Sequence, residues 1–149
     1  MTLRWLIASL HLLALPLGLS AVWTRNRALN AVATTHDLQR VFLADNLWGL
    51  AAVLWITTGL LRVFGGLEKG SSYYLHDRIF YVKMGLLVVI LLLEIRPMIT
   101  LIRWRGGARR GATVDTTVAP ALARISRIQA GLTVLMVFAA TALARGFFY

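Results

Sequence analysis

Inside its apolar runs this sequence places His11, Asp45, Asn46, Arg62, Lys83, Glu94 and Arg96. An ionisable side chain at bilayer depth costs roughly 2.5–3.5 kcal/mol on insertion scales, so each is expected to face a partner or a cavity. Lys83 and Glu94 are the candidate catalytic groups. They are eleven residues apart, close to three helical turns, which places them on one face but about 16 Å from each other. Glu94 with Asp45 could handle a proton or a cation, with Arg127 as a cationic neighbour. The alternative is a buried ion pair or hydrogen-bonded knot that fixes helix register. Asn46, Arg62 and Arg96 complete the set of expected buried polar groups. Arg96 falls on nearly the opposite face from Glu94, where a long side chain can snorkel to headgroups.

His11 shares a helix face with Arg4 and Gly18, at spacings of seven. A single imidazole can ligate haem iron, and a glycine one heptad on leaves room for a planar ring. His11 is therefore the candidate metal ligand, with Met84 or Met136 as a second axial donor, because His36 and His76 lie in or beside loops. The alternative is a histidine hydrogen-bonded to a neighbouring helix. Trp48 and Trp55 are seven apart, on one face that could stack a flat cofactor. Gly49, Ala52 and Gly59 give the same span a small-residue side suited to close packing.

The elements that must position these groups are four apolar windows, about 3–23, 41–64, 80–101 and 125–147. Each is long enough to cross a bilayer, which takes about 20 residues. The chain has 149 residues, 58% of them hydrophobic, against about 45–50% apolar in a soluble domain. The fold class expected is all-α: one four-helix transmembrane bundle. The first window could be misread as a signal peptide, but Leu19 spoils the small-x-small pattern before Ala21, and His11 and Pro16 interrupt the core. Between the windows, residues 24–40 are expected to form a basic connector, with 25–33 as a short interfacial helix. Gly65 and Gly66 should stop the second span before a loop over 65–77. Residues 102–120 are expected to form a flexible polybasic connector. Val118 and Ala119–Pro120 can start the last helix, since proline is tolerated in a first turn. Pro16 and Pro97 should free the carbonyls of Leu12 and Leu93, beside His11 and Glu94.

Lys and Arg number 16 against 6 Asp and Glu. Because the arginines flank apolar spans, anionic headgroups are the expected partners and nucleic acid is not. Arg25, Arg27, Arg103, Arg105, Arg109 and Arg110 are the headgroup candidates. The positive-inside rule puts the first and third connectors in the cytoplasm and both termini outside, as for a multi-pass protein of the bacterial inner membrane. Trp5, Tyr73, Tyr74, Tyr81, Phe147 and Tyr149 would form one interfacial belt, and Trp23 and Trp104 the other. The absence of cysteine removes disulfides, thiolate metal sites and Cys nucleophiles. Phosphate-loop, dinucleotide, HExxH and G-x-S-x-G signatures are also missing.

ASLHLLALPLG, LADNLWGLAAVLWITTGLLR and YVKMGLLVVILLLEIRP, from the first three spans, together resemble a family of predicted four-helix bacterial membrane proteins of unknown function. A more distant likeness is to the bacterial membrane-bound protoporphyrinogen IX oxidase family, and beyond it to copper-resistance-type membrane domains. Leu10 and His11 match that family's leucine–histidine start, and Lys83 its lysine opening a later helix. Glu94 stands where those oxidases commonly have a further histidine. The likeness implies haem b, ligation of iron by His11, contact of Lys83 with a propionate, and porphyrinogen oxidation. Three functions are thus expected in order: a bundle binding a tetrapyrrole or quinone-like redox ligand; a non-catalytic accessory subunit of a larger membrane complex, or a homo-oligomer; and a proton-coupled carrier centred on Glu94.

Overall fold

The computed structural model describes residues 2–32, 37–66, 76 and 78–145. They form four long helices: α1 (Thr2–Ala31), α2 (Leu38–Phe64), α3 (Arg78–Arg109) and α4 (Ala119–Arg145). All four are long and apolar enough to cross a membrane. With 27 to 32 residues each, they run roughly 40–48 Å, longer than a hydrocarbon core of about 30 Å. Successive helices are antiparallel, as the pairings of His11 with Thr58, Arg25 and Arg105 with Asp45, and Ile79 with Leu143 show, so the start of α1 and the end of α4 lie at one end of the bundle (the terminal end). The end of α1, the start of α2 and the α3–α4 loop lie at the other, the connector end.

Local chemistry sets several of the boundaries. The Gly65 N–H caps α2 by donating to the Leu61 carbonyl at 2.9 Å, and Gly66 then takes φ +63°, where a side chain would be strained. Ala119 opens α4 with Pro120 in its first turn, as expected. In the loop before it, the Asp115 carboxylate accepts the Thr117 N–H at 2.9 Å, which holds its carboxyl below the ordinary range.

Two boundaries differ from expectation. Residues 24–31 continue α1 rather than forming a connector or a separate interfacial helix, and α3 runs to Arg109, through Pro97 and well past 101. The missing N–H of Pro97 removes one backbone bond, and the surrounding helix outweighs that loss. Expectations for His36, Tyr73, Tyr74, Phe147 and Tyr149 fall outside the described residues.

The helices pack in the order α2–α1–α4–α3, and α2 and α3 close the ring through side chains with little backbone approach. The buried stripe of α1 reads Ile7, His11, Ala14, Gly18, Ala21, Arg25 and Leu29, in steps of three and four as a bundle interior requires. Leu29, Leu38, Val41, Leu101 and Leu122 fill the connector end. Val22, Trp48, Ile90 and Met136 fill the middle. Ile79, Phe80 and Leu143 close the terminal end.

Gly18 makes the α1–α2 contact possible: a Cβ there would stand 3.3 Å from Ala51 Cβ and 3.4 Å from the Trp48 ring. The room expected for a cofactor ring at Gly18 is therefore taken by Trp48. Gly18→Leu should overpack this seam and lower stability by about 1–3 kcal/mol, read as a fall in the unfolding midpoint of the detergent-solubilised protein. An unchanged midpoint would show that the seam can yield. Gly49, expected to serve packing, instead faces open space.

Candidate functional site

Two polar constellations lie inside the bundle, at different levels. The first is centred on Arg25, whose side chain is fully buried. Its Nε donates to Ser126 Oγ at 3.0 Å, and its Nη1 to Asp45 Oδ1 and Glu94 Oε1, both at 2.7 Å. Its Nη2 donates to Glu94 Oε2 and Gln129 Oε1, both at 2.8 Å. A guanidinium carries five N–H groups in a planar fork, and here each has an acceptor. One α1 side chain thus reaches α2, α3 and α4 together. Glu94 grips it with both oxygens, the strongest geometry available to an arginine–carboxylate pair.

The surrounding groups complete the network. Glu94 Oε2 also accepts from Trp48 Nε1 at 3.0 Å and from Gln129 Nε2 at 2.8 Å. The guanidinium lies 5.8 Å from the Trp48 ring centroid, within cation–π range. Asp45 accepts from Arg105 Nη2 at 2.7 Å, so two arginines face two carboxylates. Asn26 Nδ2 donates to the Ala123 carbonyl at 2.6 Å and adds an α1–α4 tie. Gln129 Nε2 also donates to the Ile90 carbonyl at 3.2 Å and adds an α3–α4 tie. The network stands about two turns inside the connector end, on the order of 10 Å along the axis.

Several expectations are corrected here. Arg25, expected at lipid headgroups, is inside because α1 continues past Trp23 and carries position 25 onto the stripe of His11 and Gly18. Arg105, also expected at headgroups, is only partly exposed and pairs with Asp45, because α3 continues past Leu101. Arg127, the expected neighbour of Glu94, is exposed, and so are Asn46 and Arg96, both grouped with the buried polar residues, although Arg96 stands on the outward face from which snorkelling was expected. Each stands on a helix face turned away from the network. Arg27, Arg103, Arg109 and Arg110 are exposed at the connector end, as headgroup contact would need. Trp48 is held by Glu94 and by the packing at Gly18, which takes it out of the stacking role expected beside Trp55.

The second constellation surrounds a cavity of about 430 Å³ toward the terminal end, lined by His11, Trp55, Arg62, Lys83, Met84 and Met136 among others. Three spans separated in sequence bring these groups together with α4. His11 Nδ1 is 2.9 Å from Thr58 Oγ1, and the Thr58 hydroxyl has the Leu54 and Trp55 carbonyls as acceptors. A hydroxyl has one proton; given to a carbonyl, it leaves the oxygen to accept from Nδ1–H. In the neutral ring the basic lone pair is then on Nε2. The ring lies across Gly59, where a Cβ would stand 3.3 Å from His11 Cε1, and 6.1 Å from the Trp55 ring centroid. Among the described residues no three His, Asp or Glu side chains gather in a metal-binding group.

Four apolar helices enclosing a buried ionic layer and a basic-lined cavity define a multi-pass helical-bundle membrane protein. The chain belongs to the family described as "Predicted membrane protein (DUF2214)", whose model matches residues 3–147. No curated protein and no solved structure matches it, so the likeness to the porphyrinogen oxidases has no support from these comparisons.

Proposed function

We propose that this protein binds a small apolar redox ligand, of tetrapyrrole or quinone type, in the cavity beside His11. One observation carries the reading: His11, Arg62 and Lys83 line the same space of about 430 Å³ with Met84 and Met136. That volume lies within the range of small-molecule sites, which are mostly apolar with a few convergent polar groups. The donor set suits haem b: an imidazole whose Nδ1 is committed to Thr58, two thioethers as possible second donors, and two cations for carboxylates. Bound there, haem would supply one-electron chemistry. Lys83 would hold an acidic or carbonyl oxygen, as a substrate-orienting group.

Glu94 is better explained as structural than as proton-handling, because three neighbouring side chains already donate to its carboxylate. The exposed arginines at the connector end support anionic headgroup contact and a cytoplasmic position for that end, in a bacterial inner membrane.

The visible spectrum of protein purified from haem-replete cells tests the haem form. A Soret band that disappears in His11→Ala, with folding retained, is the expected result. Colourless protein that also fails to take up added haemin would exclude haem and leave the quinone form.

A further inference from the structure

The cavity beside His11 does not end at Trp55. A second space of about 170 Å³ adjoins it, and Leu15, Trp55, Ile56 and Leu87 line both. Together they follow the seam between α2 and α3, a pair of helices with little approach along their backbones. On α2 the lining runs from Asp45 to Val63 and on α3 from Phe80 to Met98, about 27 Å along either helix at 1.5 Å per residue.

The two ends differ in chemistry. The wide end holds His11, Arg62 and Lys83. The narrow end is apolar along Gly49, Ala52, Leu91 and Met98, and is closed by Asp45, Trp48 and Glu94, whose polar atoms belong to the Arg25 network. Gly49, Leu91 and Met98 are exposed at the surface of the bundle, the face that acyl chains cover in a membrane.

From this we infer that the α2–α3 seam is a lateral groove for an amphiphile with an oxygen-bearing acceptor head and one long apolar chain. The head sits among His11, Arg62 and Lys83, and the chain lies past Trp55 toward Met98. A prenylated quinone and a single-chain fatty acid share this chemistry. The inference rests on the ligand reading of the large cavity and narrows it to ligands that carry a tail and come in from the bilayer.

Gly49 provides the test, since a Cβ there meets nothing within 4 Å and a larger side chain fills the narrow end without disturbing the helix contacts. Gly85 on α3 also faces open space and lines neither cavity, so Gly85→Phe controls for added bulk. Binding is read in detergent by quenching of tryptophan emission. The probes are a benzoquinone with a single isoprene unit, its tetraprenyl homologue, brominated stearate and haemin.

The tetraprenyl quinone should bind the unaltered protein about tenfold or more tightly than the short one, since each buried methylene adds affinity. Gly49→Phe should abolish that preference and leave the short quinone's affinity unchanged, while Gly85→Phe changes neither. If brominated stearate alone binds and loses affinity in Gly49→Phe, the groove stands with a fatty acid as its occupant and the redox reading falls. Equal affinity for both quinones, or a preference that survives Gly49→Phe, overturns the groove. Haemin binding alone overturns the groove and keeps the large cavity as a site. If no probe binds, both fall.

Discussion

Arg25→Met should lower the stability of the bundle by about 3–5 kcal/mol, the usual consequence of removing one partner from a buried ionic group. Methionine is close to arginine in length and bulk, so lost packing contributes little. The damage comes from what remains: Glu94 keeps only Trp48 and Gln129 as donors, and Asp45 only Arg105. Arg25→Lys should fall between, since three N–H groups on one nitrogen cannot reach acceptors on α2, α3 and α4 that five in a fork reach. The double variant Arg25→Met/Glu94→Gln should recover part of the loss, because it removes the uncompensated charge. Unfolding in mixed micelles measures all three. An Arg25→Met protein as stable as its parent would show that the network contributes no net stability.

Glu94→Gln should be the second most damaging change, at about 3 kcal/mol, although it alters hardly any volume. A Gln side chain offers one acceptor oxygen where the carboxylate offers two. Its NH2 would also confront an N–H of Arg25 or Gln129, donor against donor. Asp45→Asn should cost less, about 1–2 kcal/mol, because Arg105 on its outer side is 30% exposed and can turn to water or headgroups. The order Glu94 before Asp45 is the decisive measurement. A reversed order would place the strain on the α1–α2 side of the network instead of on α3. Proton flux into vesicles that is unaffected by Glu94→Gln in the folded fraction would remove Glu94 as the centre of a carrier.

The helices were legible from apolar run length, and the starts and stops at Gly65 and Ala119–Pro120 from turn chemistry. The cavity group was legible in part: His11, Arg62 and Lys83 were each expected to face a partner or a cavity, and the structure gives them one cavity. Arg25 was not. Near the end of an apolar run, beside Trp23, an arginine of a headgroup-facing connector and one of a buried ionic layer read alike. The distinguishing signal was the continuation of the seven-residue series His11, Gly18, Arg25, which matters only if the helix does not stop at 23. Asn46 and Arg96 show the converse. They stand beside Asp45 and close to Glu94 in sequence, yet the helical rotation between neighbours turns them outward; for Arg96 the opposite face was legible from its spacing to Glu94, whereas for Asn46 depth alone carried no information about azimuth.

A ribosome makes Arg25 before any acidic group that will neutralise it. Asp45 follows 20 residues later and Glu94 69 residues later. During synthesis the first hairpin therefore has a complete pair of opposite charges of its own, while the third and fourth segments find a cation already waiting. The order of the carboxylates along the chain suits a protein threaded into its bilayer two helices at a time, with the earlier half carrying the anchor on which the later half is seated.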